Sequence, residues 1–159
     1  MRIAYLSEHS ELMPELATWH QAEWGPIEPE ESVASRLRSF AECGGAGSFP
    51  TAFVAHEGGA LLGSAMLLAH DLEGRPELTP WLAGVYVKRE RRGQGIASAL
   101  VQAVIEEATR QALPRLWLYT PHDESLYARL GFQTREHGVL RGTKITLMCL
   151  SLRKPGADE

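Results

Sequence analysis

Two glycines follow a run of basic side chains in one short segment of the chain. Lys88–Arg92 holds four basic residues and one acid, and Gly93 and Gly95 come just after it. Glycine lets the backbone approach a ligand closely, and the first N–H groups of a helix have no partner inside that helix. Positive charge beside such a helix start favours an anion. The segment therefore predicts a phosphate site, of which a pyrophosphate is the natural occupant.

Two common phosphate-binding patterns do not fit this segment. The Walker pattern Gly-x-x-x-x-Gly-Lys-Ser/Thr is absent, and the dinucleotide fingerprint fails because no third glycine follows Gly95 at the required spacing. Nucleotide hydrolysis and hydride transfer are therefore disfavoured. A basic run is also common on an ordinary solvated surface, and binding of nucleic acid by Lys88–Arg92 is a third, weaker interpretation.

The predicted secondary structure places this segment at a strand-to-helix turn. Trp81–Val87 is typical of a buried strand, and Gly93–Leu113 repeats apolar residues every fourth position, which predicts a long amphipathic helix. The other predicted strands are Ile3–Leu6, Thr51–His56, Ala60–Ala69, Arg115–Tyr119, Phe132–His137 and Thr143–Leu152. The other predicted helices are Ser10–Trp24, Ser32–Phe40 and a segment ending at Gly131, with Thr120 as N-cap, Pro121 at its first position and Asp123 three residues after the cap. This order predicts a mixed α/β sheet with helices on both faces.

The length and composition predict a single folded domain. The chain has 159 residues, 44% hydrophobic and 23% charged, which is ordinary for a globular protein with one main core. We expect residues 1–153 to form that domain and residues 154–159 to be a disordered C-terminal tail. The net charge of −4 argues against bulk binding to nucleic acid or to an anionic membrane. The polar start of the chain and two cysteines without metal-site spacing, Cys43 and Cys149, predict a reduced cytoplasmic protein with no metal site.

Two segments carry a resemblance to a known family. Arg92-Gly93-Gln94-Gly95-Ile96-Ala97 resembles the acetyl-CoA signature Arg/Gln-x-x-Gly-x-Gly/Ala of the GNAT N-acetyltransferase superfamily. Leu126–Phe132 resembles the family's second motif, Leu-Tyr-x-x-x-Gly-Phe. The resemblance implies the GNAT fold, with a mixed sheet of six to seven strands splayed between the fourth and fifth strands. It also implies acetyl-CoA as the acetyl donor.

The resemblance further implies which residues bind that donor. The backbone of the strand before the turn would hold the pantetheine and the thioester, with an N–H near Tyr86 polarising the carbonyl, and the helix start would wrap the pyrophosphate. Tyr127 matches a tyrosine near the sulfur and is expected to be the general acid, because a phenol stays protonated at neutral pH. The expected donor-binding residues are Val85, Tyr86, Val87, Arg92, Gly93, Gln94, Gly95, Ile96, Ala97 and Ser98.

The general base and the acceptor site are less defined. Trp81–Val87 lacks the acid that many relatives carry there, and the segment after Tyr119 lacks an asparagine that some use for pantetheine, for which Thr120 or His122 are the candidates. The base candidates are Glu23, Glu28, His70, Asp71 and His122, or a water held by one of them. The expected acceptor-binding residues are Trp24, Glu28, His70 and Trp81, in an aromatic and acidic mouth suited to a cation, with Trp19, Glu23, Glu30, Glu31 and the loop His70–Pro80 nearby.

The predicted function is N-acetylation of a primary amine on a small molecule or peptide, by direct attack in a ternary complex. Neither Cys43 in its glycine loop nor Cys149 in a terminal strand suits an acyl-carrying nucleophile. The alternative is a GNAT-like module that binds acyl-CoA as a sensor without catalysis, because the strand acid is missing. The expected partner is the amine substrate, with no nucleic acid and no membrane, and a homodimer stays open.

Overall fold

The β-strands form one mixed sheet in the computed structural model, which describes residues 1–122 and 124–152. The strand order is β1-β2-β3-β4-β5-β7-β6, with β4 and β5 parallel and all other neighbours antiparallel. The seven strands confirm the predicted mixed sheet. Their bounds are Arg2–Tyr5 (β1), Thr51–Glu57 (β2), Ala60–Leu68 (β3), Trp81–Val87 (β4), Arg115–Thr120 (β5), Gln133–Leu140 (β6) and Thr143–Ser151 (β7). The predicted tail, residues 154–159, lies outside the described residues.

Helices cover both faces of the sheet. They are α1 (Met13–Trp24), α2 (Val33–Glu42), α3 (Ile96–Arg110) and α4 (Ser125–Arg129), with short 3-10 turns between elements. On one face α3 buries its apolar stripe against the strands, and on the other face α1 and α2 pack over β2 and β3. Within the described ranges, no helix has the length and apolar character needed to cross a membrane.

The helix predicted from Thr120 begins later, at Ser125, so Thr120 is not its N-cap. Thr120 instead ends β5, because it pairs with Thr146 of β7, and its hydroxyl accepts a hydrogen bond from the His122 N–H at 3.1 Å. Long-range strand pairing therefore outweighs the local capping signal. Asp123, on which that signal depended, lies outside the described residues.

The sheet is held together weakly between β4 and β5. Within the described part of the chain, Trp81 and Trp117 are the one residue pair in ladder register between these strands, and the Trp117 N–H also donates to the Pro80 carbonyl at 2.9 Å. Beyond this point the strands diverge. The predicted splay between the fourth and fifth strands is therefore present, and it opens toward the end of β4.

A β-bulge bends β4 where the splay begins. Ser64 pairs with Tyr86 and Met66 with Ala83, so Gly84 and Val85 together face a single residue of β3. Gly84 has a φ of +59°, and a Cβ there would lie 2.9 Å from the Met66 sulfur. Glycine is therefore needed at this position both for its backbone angle and for its lack of a side chain.

Candidate active site

Two cavities meet at the splay. The first, of about 500 Å³, lies between the end of β4, the turn into α3 and α4, and we call it the helix-start groove. The second, of about 300 Å³, lies between α1, α2 and the loop after β3, and we call it the acidic pocket. The residues that line both are Trp24, Val85, Thr120, His122 and Tyr127. Molecules bound in the two cavities would meet at these shared walls.

The helix-start groove presents open backbone to a ligand. Gly93 and Gly95 have φ values of +78° and +81°, and a Cβ at either position would meet no atom within 4 Å. The first hydrogen bond of α3 runs from the Ala99 N–H to the Gly95 carbonyl, so the N–H groups between these residues precede the helical ladder. Of the ten predicted donor-binding residues, nine line the groove: Val85, Tyr86, Val87, Arg92, Gly93, Gly95, Ile96, Ala97 and Ser98.

Gln94 is the predicted residue outside this lining. Its side-chain oxygen accepts a hydrogen bond from the Arg91 Nε at 3.0 Å. Arg91 also donates to the Glu57 carboxylate at 3.0 Å, so part of the basic run is paired within the protein. Gln94 therefore orients Arg91 at the rim of the groove.

Arg92 connects the turn to the strand before it. Its Nε donates to the Val87 carbonyl at 2.9 Å, and its guanidinium carbon lies 5.4 Å from the centre of the Tyr86 ring. A planar guanidinium suits this double contact better than a lysine ammonium would. Arg92 thus lines the groove while bracing the end of β4.

The acidic pocket contains more carboxyl groups than basic groups. Arg36 forms an ion pair with Glu28, with Nη2 and Oε1 2.9 Å apart, and its Nε donates to Gln21 at 2.9 Å. Arg36 is buried, so this charge is fixed in place. The carboxyl groups that line the pocket belong to Glu28, Glu30, Glu31 and Asp71.

Three acidic groups at this pocket, those of Asp71, Tyr119 and Glu28, have raised pKa values. Burial, and then the Glu28 carboxylate, raise the pKa of Asp71 to about 8, against the opposing charge of Arg36. Burial, followed by Asp71 and Glu28, also raises the pKa of Tyr119, and burial raises that of Glu28 although Arg36 lowers it. The pocket therefore resists further negative charge and would be stabilised by a cation.

Tyr127 occupies the boundary between the two cavities. Its ring packs edge-on against Phe132, with the centroids 6.1 Å apart. Burial raises the pKa of its phenol to about 12, so the hydroxyl keeps its proton at neutral pH. Tyr127 therefore lines both cavities with a phenol that is protonated at neutral pH.

The Acetyltransferase (GNAT) family matches residues 13–132 of the chain. The chain belongs to this family. The match includes every residue that lines the helix-start groove and the acidic pocket, Tyr127 among them. The family predicted from the two motifs is thereby confirmed.

Solved structures of acetyltransferases share the GNAT fold of this chain. Aminoglycoside 6'-acetyltransferase type Ii is 18% identical with a TM-score of 0.73, over 97% of this chain and 99% of that one. Ribosomal-protein-alanine N-acetyltransferase from Brucella melitensis is 18% identical with a TM-score of 0.73, and the match covers 95% of this chain and 99% of that one. The yncA protein of Salmonella typhimurium, solved with its cofactor acetyl-CoA, is 19% identical with a TM-score of 0.69, over 97% and 95%. The acetyl donor predicted from the sequence is the cofactor present in this last structure.

Three of the four predicted acceptor-binding residues of this GNAT domain lie in the acidic pocket. Trp24, Glu28 and His70 line it, whereas Trp81 does not. Trp81 is fully buried, and its indole N–H donates to the Leu78 carbonyl at 2.6 Å. Its position follows from the sheet, because Trp81 lies where β4 and β5 are still paired, ahead of the splay. We therefore leave Trp81 out of the acceptor site.

The base candidates of the GNAT domain separate into two groups. Glu28, His70 and Asp71 line the acidic pocket, while Glu23 lines the helix-start groove. His122 lines both cavities, and its Nε2 lies 3.6 Å from a Glu23 carboxylate oxygen. Thr120 and His122, the candidates to replace the missing asparagine, are both at the shared wall.

Sequence reasoning missed several polar residues of the site. His20 and Arg36 are buried polar residues on α1 and α2, and Ser64 lies fully buried in β3. A signal was present for the first two, because His20 lies four residues after Leu16 and Arg36 four residues before Phe40, each within an apolar helical stripe. A polar residue in such a stripe is expected to have a buried partner.

Proposed function

We propose that this chain is an N-acetyltransferase that moves the acetyl group of acetyl-CoA to a primary amine by direct attack in a ternary complex. The observation that carries the proposal is the meeting of the helix-start groove and the acidic pocket at Tyr127 and Val85. One cavity suits an anionic donor and the other a cationic acceptor. Direct transfer requires both to be occupied together.

The helix-start groove fits the donor on its own geometry. The open backbone at Gly93 and Gly95 and the start of α3 would hold the pyrophosphate, with Arg91 and Arg92 at the rim. The backbone of Val85–Val87 borders the same groove and would hold the pantetheine. A backbone N–H near Tyr86 would stabilise negative charge on the thioester oxygen as it develops.

The acidic pocket fits a cationic acceptor that must lose a proton to react. Asp71, with a pKa raised to about 8, becomes ionised as the pH rises through that value and is our first choice as the proton acceptor, with Glu28 and His70 also lining the pocket. The amine nitrogen then forms the new C–N bond as the C–S bond breaks, and it releases its second proton to solvent water. Tyr127 gives its proton to the departing thiolate and regains one from water.

The cysteines support direct attack over an acyl-enzyme route. Both Cys43 and Cys149 are buried. Burial raises the pKa of Cys43 to about 11 and also raises that of Cys149. Neither thiol ionises readily at neutral pH, and only the thiolate is a strong nucleophile.

The acceptor classes to test follow from the pocket and the relatives. Proteins of the same fold carry names that refer to an aminoglycoside and to a ribosomal-protein alanine. The acidic lining favours amines with more than one positive charge. A polyamino sugar, a linear polyamine and a peptide with a free amino terminus therefore form the first panel.

Thiol release and calorimetry test this proposal together. We expect micromolar binding of acetyl-CoA and release of free CoA that depends on an amine from the panel, with a mass increase of one acetyl group on that amine. Binding without amine-dependent thiol release across a broad panel would favour the acyl-CoA sensor. Absence of acetyl-CoA binding would overturn both functions.

A further inference from the structure

A buried histidine lies beneath the β4 bulge. His20 of α1 is 3% exposed, and its Nε2 lies 2.9 Å from the Ser64 Oγ. The Ser64 hydroxyl is itself buried in β3 and donates to the Gly84 carbonyl at 2.7 Å. Three elements far apart in the sequence are thus joined by two hydrogen bonds at the point where β4 bends.

The direction of these bonds follows from the protons available. The Gly84 carbonyl can only accept, so the single Ser64 proton points to it. The Ser64 oxygen must then accept from His20, which places the imidazole proton on Nε2. Burial, and then the charge of Arg36, lower the pKa of His20 to about 3, so the ring stays neutral in this form.

His20 also contacts the walls of the site. Its ring lies edge-on to Trp24, with centroids 4.8 Å apart, and edge-on to Phe40 at 5.4 Å. Trp24 in turn meets the Tyr86 ring at 6.2 Å. A Cβ on Gly84 would lie 3.0 Å from the His20 Cε1, so the ring and the bulge are in close contact.

The bulge determines which way the next backbone groups of β4 face. The extra residue leaves Gly84 and Val85 outside the β3–β4 pairing, between the pairs Met66–Ala83 and Ser64–Tyr86. The Gly84 carbonyl and the Val85 N–H belong to one planar peptide and point in opposite directions, so rotation of that peptide would redirect the N–H of Val85, which lines the groove. The Ser64 hydroxyl opposes that rotation because it holds the Gly84 carbonyl.

We propose that His20, acting through Ser64, is a positioning residue that fixes the Gly84 bulge and so aims the backbone N–H near Tyr86 at the reacting carbonyl. This inference rests on the proposed acetyl transfer. It assigns His20 no role in moving protons. Its contribution appears when charge develops on the thioester oxygen rather than when the donor binds.

Steady-state kinetics of matched variants test the proposal. His20→Phe keeps an aromatic ring but removes the donor, His20→Gln keeps an N–H at a similar reach, and Ser64→Ala removes the link. We expect His20→Phe and Ser64→Ala to lower kcat by about 10- to 100-fold with the acetyl-CoA KM changed less than about twofold. His20→Gln should recover a large part of that loss, and Thr18→Ala, which removes an exposed hydroxyl from the same helix, should match the wild type.

Two results would overturn the proposal. One is an unchanged kcat in Ser64→Ala, and the other is a His20→Gln variant as slow as His20→Phe. Thermal unfolding of each variant identifies any that fails to fold, and Ser64→Ala provides the answer if the His20 variants do not fold.

The tautomer of His20 provides a readout without turnover. Nitrogen NMR of the wild-type protein is expected to show the proton on Nε2 from pH 5 to 8, and loss of that pattern in Ser64→Ala. A proton on Nδ1 would contradict the hydrogen bond from His20 to Ser64, even in a fully active enzyme. If the wild-type protein shows the expected tautomer but no amine-dependent thiol release, the proposed acetyl transfer fails, and the positioning role of His20 fails with it. A wrong tautomer in an active enzyme would contradict the role of His20 alone. The two failures are therefore distinguishable.

Discussion

Tyr127 combines a buried ring with a hydroxyl at the wall shared by the groove and the pocket. Tyr127→Phe keeps the ring and its contact with Phe132 but removes the proton. We expect kcat to fall by about 100-fold or more, because a general acid contributes on that order, while the acetyl-CoA dissociation constant stays the same. Stopped-flow thiol release and calorimetry measure the two quantities. An unchanged kcat would remove Tyr127 as the acid.

Asp71 links the rate to pH. Its carboxyl must be ionised to accept a proton, and with a pKa of about 8 it is mostly protonated below neutral pH. We expect kcat/KM for the acceptor to rise from pH 6 to 9, and Asp71→Asn to lose the part of that rise centred near pH 8. If Asp71→Asn keeps the pH profile of the wild type, the rise in kcat/KM with pH would be due to the amine itself or to another base.

The same carboxyl affects stability with a definite sign. Its pKa is raised from 3.8 to about 8, so between these values the folded protein holds a proton that the unfolded chain has released. This group therefore lowers the free energy of unfolding as pH rises through that range. Asp71→Asn is expected to unfold at a higher temperature than the wild type at pH 8 and at a similar temperature at pH 4. Equal differences at both pH values would argue against the raised pKa.

Gly95 tests the phosphate site with a matched control. Gly95→Asp places a negative charge at the start of α3 and strains a backbone with a φ of +81°, so acetyl-CoA should bind at least about tenfold more weakly. Gly59→Asp carries the same charge and a similar φ of +82° in the β2–β3 turn and should bind normally. Calorimetry compares the two. Equal affinity for Gly95→Asp and wild type would contradict the assigned groove.

The loop after β3, which carries Asp71, is tied to the β6–β7 hairpin by two arginines. Arg141 in the hairpin turn pairs with Glu73 of the loop and donates to the Ile27 carbonyl at 3.0 Å. The guanidinium of Arg75 in the loop donates two hydrogen bonds to the Glu136 carboxylate of β6, at 2.9 and 3.2 Å. These partly exposed contacts fix the loop over the acidic pocket.

We expect Arg141→Gln to raise the acceptor KM several-fold and leave the acetyl-CoA KM unchanged. The reason is that the Gln side chain cannot pair with Glu73 and reach Ile27 together, so the loop loses one anchor. Added salt should raise the acceptor KM of the wild type more than that of the variant, because exposed ion pairs are screened. Arg38→Gln, an exposed position on α2, is the control. A variant with an unchanged acceptor KM would show that the hairpin does not shape the pocket.

Sequence patterns predicted the elements better than their ends. The strand Trp81–Val87 and the glycine turn after it are local signals, and the structure has both where the sequence places them. The predicted start of α4 was wrong because β5 extends to Thr120 by pairing with β7, which is a contact between distant parts of the chain. Local capping signals carry no information on such pairing.

The sequence predicts the part of the candidate site that comes from one continuous segment. It does not predict the parts in which residues from several distant segments lie together. The helix-start groove comes mostly from residues 85–98, and nine of its ten predicted residues line it. Trp81 was misplaced because an apolar strand does not reveal which residues precede a splay. The contact from His20 through Ser64 to Gly84 spans three elements, and no local pattern connects them.

Glu107 connects three parts of the fold from a buried position on α3. It accepts hydrogen bonds from the Tyr5 hydroxyl at 2.6 Å, the Gly47 N–H at 3.0 Å and the Gln111 amide at 2.8 Å. Burial alone would raise its pKa, but these bonds and Arg110 lower it to about 2. The first strand, the loop before β2 and the long helix are thus held by one carboxylate.

Glu107 makes stability depend on pH in the direction opposite to Asp71. Because its folded pKa lies below the unfolded value of 4.5, its contribution is complete above that value and is lost as pH falls toward about 2. We expect Glu107→Gln to reduce the free energy of unfolding at pH 7 by about 2 kcal/mol and to show a smaller loss on acidification. Urea unfolding at pH 7 and pH 3 measures this. An equal loss on acidification in both proteins would assign the acid sensitivity to other groups.

The weak pairing of β4 with β5 affects the range of acceptors that the site can admit. Few backbone hydrogen bonds oppose a small rotation of the β5–β7–β6 half of the sheet about Trp81 and Trp117. The mouth between the halves can therefore widen for a bulkier amine by hinging, without repacking either core. The pairing of β4 with β5 then determines how large an acceptor the site can admit. The negative charge of the acidic pocket still selects cationic acceptors.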